Sequence, residues 1–211
     1  MRRSFLLVLI VSLAGAGCAS TPVARQKNVE QSLTDVKQEL IGTRAQLDKT
    51  LVSLTALVNS SADDVKKSYA QYSSDVKALK QQADALQKSR EELRVRREKW
   101  VNAWQKSYRD IQNPELKRVS EERRSQVVAR FDEVSRSYEA AADTFTPLLR
   151  DLDDVRMAAG NDLTPRGVAA IAATSAVQNA PIEGAAVEQH LNSAISEFDR
   201  LQRALLAPAA G

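Results

Sequence analysis

The sequence offers few side chains for covalent, metal or acid–base chemistry. Its 211 residues contain one cysteine, Cys18, and one histidine, His190. His190 has no second histidine or cysteine at metal-ligand spacing, which favours an ordinary helix residue over a zinc ligand or a catalytic base. The acidic run Asp151, Asp153 and Asp154 lacks the spaced oxygens and central glycine of a calcium loop. We therefore expect no metal, no cofactor and no enzymatic activity.

Cys18 stands directly after an export-type N-terminal segment. Arg2 and Arg3 precede the uncharged stretch SFLLVLIVSLAGA, residues 4–16, which is shorter than the about 20 apolar residues needed to span a bilayer. A short positive region, an apolar core and small residues form the pattern of a cleaved signal peptide. A lone thiol in an exported chain has no internal disulfide partner, so its presence needs an explanation.

Two cleavage products fit this segment. Residues 14–16, AGA, satisfy the A-x-A rule, and cleavage there releases a soluble protein that starts at Gly17. Residues 15–18, GAGC, resemble the lipobox of bacterial lipoproteins, in which the cysteine receives a diacylglycerol and an N-acyl chain. The lone thiol favours the lipoprotein, so we expect Cys18 to be lipidated. An alanine follows Cys18, whereas an aspartate there favours inner-membrane retention in Gram-negative lipoproteins. The resemblance therefore implies the periplasmic face of the outer membrane.

The composition predicts long helices and gives no reason to expect nucleic-acid binding. The chain has 30 Lys and Arg against 27 Asp and Glu, and removal of residues 1–17 takes away two arginines, which leaves 28 against 27 and a net charge of +1. Only seven glycines, six prolines and 5% aromatic residues are present, as is typical of helical proteins. Near-neutral charge and export both argue against a nucleic acid partner.

Apolar residues recur at heptad spacing over four runs. The runs extend from Val29 to Leu57, from Val65 to Ile111, from Val127 to Ala159 and from Val187 to Leu201. This periodicity predicts an all-α fold, an elongated antiparallel helical bundle with coiled-coil-like long helices, the second of them about 70 Å long. Short connections favour packing within one chain, although self-association is possible. We expect three parts: a signal peptide over residues 1–17, the lipidated cysteine and a tether over residues 18–28, and the bundle domain over residues 29–207.

Four short segments and one internal proline are expected to interrupt the helices. The segments are NSSADD at 59–64, QNPEL at 112–116, GNDLTPRG at 160–167 and NAPIEG at 179–184. We expect Pro114 and Pro165 to open helices, the latter capped by Thr164, and residues 59–64 to supply a helix cap. Pro147 lies inside the third run and predicts a kink or a break near Thr146.

Charge is distributed unevenly along the helical region. Residues 88–124 hold 12 basic and 7 acidic side chains, a net +5, whereas residues 132–162 hold 3 basic and 8 acidic ones, a net −5. The basic part surrounds the expected turn at Pro114, and we call residues 94–124 the hairpin tip. Its candidate interaction residues are Arg94, Arg96, Arg97, Trp100, Trp104, Arg118, Arg123 and Arg124.

Two interpretations of the hairpin tip are open. If the first helix leads away from an anchored Cys18 and the second returns, the tip comes back to the lipid surface. There the cations would contact anionic headgroups, and Trp100 and Trp104 would sit at the interface. In the other interpretation both tryptophans pack inside the bundle and the basic residues pair with the acidic segment. Their heptad positions favour this second interpretation.

Residues from about 29 to 204 resemble a proteobacterial family known as domain of unknown function 2959. The similar stretches are REKWVNAWQKSYRDIQNPELKRVSEERRSQVVARFDEV, SYEAAADTFTPLLRDLDDVR and LTPRGVAAI. The resemblance implies a helical fold and a location in the cell envelope. It supplies no activity and no functional residues.

These observations together predict a non-enzymatic periplasmic lipoprotein, a helical scaffold or adaptor. Its expected partners are the membrane, through the lipid anchor, and an unidentified envelope protein or the cell wall. The alternative is a membrane-surface or lipid-binding module that uses the basic, tryptophan-bearing hairpin tip.

Overall fold

The described part of the chain, residues 22–206 of a computed structural model, consists of five α-helices. They are α1 Pro22–Val58, α2 Val65–Asp110, α3 Pro114–Asn161, α4 Pro165–Ala172 and α5 Ser175–Leu206. No strand occurs among these residues, and the all-α prediction is confirmed. The expected signal peptide and Cys18 lie outside the described residues.

The four long helices form a ring in which every neighbour is antiparallel. α1 packs against α2 and α5, and α3 packs against the same two helices from the other side. Contacts between neighbours show the direction, because partners early in one helix are late in the other. Lys37 pairs with Asp199 and Arg44 with Asn192 across α1 and α5. The predicted antiparallel bundle is confirmed.

The heptad positions of α1 and α3 form the core. In α1 all nine predicted positions are buried, and they are Val29, Leu33, Val36, Leu40, Thr43, Leu47, Thr50, Leu54 and Leu57. In α3 the ten buried positions extend from Val127 to Ala159 with the predicted spacing. Thr43 and Thr50 are also fully buried. The core tolerates their hydroxyls because these donate hydrogen bonds to the Glu39 and Gln46 carbonyls at 2.8 and 2.7 Å.

The helices differ in length, and this difference shapes one end of the bundle. α2 and α3 contain 46 and 48 residues, whereas α1 and α5 contain 37 and 32. The described start of α1 and the described end of α5 lie beside the last turns of α2, so the α2–α3 hairpin continues about 10 Å beyond these described ends. We call this end the tip end, the opposite end with α4 the far end, and the projecting residues 106–119 the apex.

Two helix starts follow the predicted capping chemistry. The Asn113 side chain accepts hydrogen bonds from the backbone N–H groups of Glu115 and Leu116, and Pro114 occupies the first helical position. Thr164 accepts from the Gly167 N–H at 3.1 Å, with Pro165 at the first position of α4. Both predictions are confirmed.

Two predicted boundaries were wrong, and of the kink or break predicted near Thr146 the break does not occur. The tether expected through residue 28 is already helical from Pro22. α3 runs without a break through Pro147, because buried residues such as Phe145 and Leu148 hold both sides of the proline in the core. α5 likewise continues through the segment 179–184, where Ala180 and Gly184 are buried. In each proline case, packing outweighs the loss of one backbone hydrogen bond.

Two details differ from the expected interruptions. The break between α4 and α5 falls at residues 173–174, where the Thr174 carbonyl accepts from the Val177 and Gln178 N–H groups. Residues 59–64 do separate α1 from α2, but Asp64 makes no side-chain cap. Its carboxylate instead accepts a hydrogen bond from the Ser61 hydroxyl at 2.7 Å.

One carboxylate lies inside the α1–α2 interface. Asp75 is 2% exposed, and its two oxygens contact Lys49 Nζ at 3.0 Å and Gln71 Nε2 at 2.9 Å. Burial raises the pKa of Asp75, but hydrogen bonds from Gln71, Lys49 and Ser53 together lower it by more. The pKa of Asp75 therefore lies below its usual value. The charged form of Asp75 therefore stabilises the folded hairpin.

Replacement of Asp75 by Asn should destabilise the protein by about 2 kcal/mol at neutral pH, because an amide presents donors to Gln71 or Lys49. The pKa of Asp75 is lower in the folded chain than in the unfolded chain. Its contribution to stability is therefore fully present above the ordinary aspartate pKa, about 3.9, and is lost as pH falls through the folded-state pKa. Urea unfolding at pH 7 and pH 3 should therefore show a large Asp75→Asn effect that shrinks in acid. Asp154→Asn, at an exposed position, is the control and should change little. Equal effects of the two substitutions at pH 7 would contradict the assignment.

Candidate functional site

The apex is basic and carries apolar side chains in contact with solvent. Residues 106–119 contain four basic and two acidic side chains, a net charge of +2. Leu116 and Val119 are 61% and 48% exposed. The aromatic ring of Tyr108 lies 5.1 Å from Lys117 Nζ, a cation–π contact across the turn between α2 and α3.

The two tryptophans pack between α2 and α3 just behind the apex. Their ring centroids are 5.2 Å apart in an edge-to-face arrangement, and Trp100 lies 6.2 Å from the ring of Phe131 in the core. Trp104 donates its indole N–H to the Ser120 hydroxyl at 2.9 Å. Both rings are half-buried. The interpretation that places the tryptophans in the bundle therefore describes their packing, yet each keeps an open face.

Those open faces line a groove of about 460 Å³ at the tip end, which we call the end groove. It lies where the described ends of α1 and α5 meet α2 and α3. Trp100, Ala103, Trp104 and Ser107 of α2 contribute one wall. The others come from the first residues of α1, from Arg123 and Val127 of α3, and from Leu205 of α5.

Three candidate arginines of the hairpin tip hold neighbouring helices together. Arg97 pairs with Asp132 at 2.6 Å, and its guanidinium lies 5.4 Å from the centre of the Phe131 ring. Arg96 donates to the Asn28 carbonyl of α1 at 3.3 Å. Arg123 donates to the Ala204 carbonyl near the end of α5.

The other three candidate arginines pair within their own helices. Arg94 contacts both Glu91 and Glu98 at 2.6 Å, and Arg118 contacts Glu122 at 2.6 Å. Arg124 pairs with Glu121. Hydrogen bonding raises the pKa values of Arg94 and Arg124, and it holds the pKa values of Glu91 and Glu121 below their usual range. Spacings of three and four residues made these pairs readable from the sequence.

The acidic segment neutralises part of the basic one, as the second interpretation expected. Arg90 pairs with Glu139 at 3.0 Å and stacks 4.8 Å from the centre of the Tyr138 ring. Together with Arg97–Asp132 these contacts join α2 to α3. Burial raises the pKa of Tyr138, which keeps the ring neutral against the guanidinium.

Within the hairpin tip, four cations that the sequence analysis did not name have no described carboxylate within ion-pair distance. They are Lys99, Lys106, Arg109 and Lys117. Three of them lie in the apex, beside the exposed Leu116 and Val119. Lys99 and Arg109 have no acidic residue three or four positions away, so the sequence alone could have shown that they lack a partner within their own helix. The projection of the apex beyond the described start of α1 is instead a property of the assembled bundle.

No group of three His, Cys, Asp or Glu side chains in residues 22–206 is arranged to hold a metal ion. His190 lies half-buried on α5, next to the core residue Leu191. Among the same residues, none of the helices has the length and apolar character needed to span a bilayer.

Comparison with known proteins gives one family. The family described as Protein of unknown function (DUF2959) matches residues 22–205, which is nearly the whole described bundle. No curated protein matches the chain, and no solved structure does.

Trp100 and Trp104 should differ in their contribution to stability. Trp100→Ala should cost about 3 kcal/mol, because it removes the ring that packs on Phe131. Trp104→Phe should cost about 1 kcal/mol, the net value of the hydrogen bond to Ser120. Urea unfolding followed by circular dichroism at 222 nm measures both, and a larger loss for Trp104→Phe would contradict this packing.

Proposed function

The chain belongs to the DUF2959 family, whose description supplies no activity, and we propose from its sequence and structure that it is a non-enzymatic lipoprotein of the periplasm. In this proposal Cys18 carries the lipid, the anchor lies in the outer membrane, and the bundle is a scaffold or adaptor for an envelope protein or the cell wall.

One observation carries the proposal: the start of α1 and the apex lie at the same end of the bundle. Cys18 precedes Pro22 by four residues, which reach at most about 14 Å when extended. An anchor at Cys18 would therefore keep the tip end close to the lipid surface. The lipobox-like sequence and the lone thiol are the independent support for the anchor itself.

The scaffold role is supported by the length of the bundle and by its far end. The 37 residues of α1 extend about 55 Å away from the tip end. Three large apolar side chains on the surface, Val52, Met157 and Ile182, lie toward the far end and are 49–74% exposed. Such a surface, held at a distance from the membrane, suits contact with another envelope component.

A second candidate function is direct contact between the apex and anionic lipid. The supporting observation is the set of cations without carboxylate partners beside Leu116 and Val119. Basic side chains next to exposed apolar ones favour the membrane interface, since charge attracts the anionic surface and apolar groups enter it. The apex is also the part of the bundle that projects toward the expected membrane.

Lipidation at Cys18 predicts a defined mass in the membrane fraction. Intact-mass analysis should find a chain that begins at Cys18 and carries three acyl chains, because a diacylglycerol and an N-acyl group are added in this class of lipoprotein. Cys18→Ala should remove the added mass and release the protein from the membrane fraction. An unmodified wild-type chain that begins at Gly17 would contradict the proposed anchor.

Apex contact predicts a position-specific effect of charge on vesicle binding. In a Cys18→Ala background, replacement of Lys99, Lys106, Arg109 and Lys117 by Gln should lower partition onto phosphatidylglycerol vesicles at least tenfold, because each cation near the surface contributes about 1 kcal/mol.

The matched control removes the same charge at the far end. Replacement of the exposed cations Lys66, Lys67, Lys77 and Arg166 by Gln should leave vesicle partition nearly unchanged. Equal losses in the two variants would show a general charge effect and contradict contact through the apex. The result is independent of whether Cys18 is lipidated.

A further inference from the structure

The end groove has the chemistry of a lipid site. Its volume of about 460 Å³ lies in the range of about 300 to 1,000 Å³ that is usual for ligand sites. Trp100, Trp104, Val127 and Leu205 give it an apolar floor. Space of this kind between helices favours a flexible apolar ligand, because none of the described lining residues has a carboxylate that would have to be desolvated.

The charged side chains of the groove have one sign. Arg25 of α1 and Arg123 of α3 are its charged lining residues, and both are cationic. Arg123 is fixed by its hydrogen bond to the Ala204 carbonyl, which leaves further guanidinium donors. An apolar floor with cations at the wall matches an amphipathic ligand that has an acyl chain and an anionic head.

The position of the groove selects the source of that ligand. It lies at the tip end, directly behind the apex with the exposed Leu116 and Val119 and the cations Lys106 and Arg109. A lipid that meets the apex at a membrane surface is therefore next to the groove. The start of α1, which begins four residues after Cys18, lines the same space through Val23.

We propose that the end groove holds one acyl chain of an anionic phospholipid, with Arg123 beside its phosphate. This inference goes beyond surface contact of the apex, because it places a single lipid chain between helices. It does not require modification of Cys18.

The test uses intrinsic fluorescence, since the two tryptophans of the whole chain both line the groove. The probe is lysophosphatidylglycerol with a 9,10-dibromostearoyl chain, kept below its micelle concentration and added to the full chain with Cys18→Ala. Bromine quenches nearby indoles, so binding should quench the fluorescence saturably, and native mass spectrometry should show one lipid per chain. The zwitterionic lysophosphatidylcholine analogue should bind at least fivefold more weakly.

Two variants fill the groove and one matched variant does not. Ala103→Phe and, at the exposed position Ser107, Ser107→Phe should each weaken binding at least tenfold. Ala186→Phe, at an exposed alanine of α5 away from the groove, should bind like the parent. Circular dichroism verifies the fold of each, and Ser107→Phe provides the test if Ala103→Phe does not fold.

Three outcomes would overturn the proposal. They are absence of saturable quenching, equal quenching in the groove-filling and Ala186→Phe variants, and a lipid-free dimer whose formation buries the tryptophans. The first shows that the groove does not hold this lipid, the second indicates adsorption, and the third assigns the groove to a second copy. Each outcome is independent of the mass found for the membrane-bound protein, so failure here and failure of the anchor are distinguishable.

Discussion

The unequal length of the four long helices is the constraint on which the tip end depends. Each helix carries an apolar stripe that must be buried, and the ring of neighbours satisfies this along most of the bundle. Beyond the described ends of α1 and α5, the described neighbours of α2 and α3 are each other. The α2 stripe changes there from buried Leu86 and Leu93 to half-buried Trp100 and Trp104. The end groove and the projecting apex are both consequences of this mismatch.

The same mismatch separates the cations of the hairpin tip into two groups. Arginines beside a neighbouring helix, such as Arg97 and Arg123, have partners that cross between helices. Beyond the described ends of α1 and α5 such partners are fewer, and Lys106 and Arg109 have no described carboxylate within ion-pair distance. Exposed ion pairs contribute little free energy, so the helical pairs of Arg94 and Arg118 chiefly lower the net charge of that surface. Among the cations of the hairpin tip, those available to a partner therefore lie mainly in the apex.

Local sequence patterns predicted the helices and the core, and the reason is visible in single residues. Leu33, Leu40 and Leu47 recur every seven residues and are all buried, since heptad spacing places them on one face. Proline shows the limit of such patterns. Pro114 opens a helix as predicted, whereas Pro147 lies within one, because the cost of a proline depends on the packing around it. Nothing local distinguishes the two outcomes.

The candidate site was predictable only in part. The sequence located the basic, tryptophan-bearing segment and its turn at Pro114. It did not reveal which cations would lack partners, because Arg96 and Arg97 find theirs on other helices, at Asn28 and Asp132. The groove was equally hidden, since it is made by four helix segments that are distant in the chain. Pairing between helices and the position of helix ends relative to one another are properties of the assembled fold.

Hydrogen exchange on the full-length chain in phosphatidylglycerol vesicles, compared with the same protein in detergent, tests most directly whether the tip end faces the membrane. Protection on the vesicles should appear in the apex and in the first turns of α1 and be absent around α4. Protection at the far end, or no difference between the two ends, would contradict the orientation from which the anchor, the apex contact and the lipid groove follow.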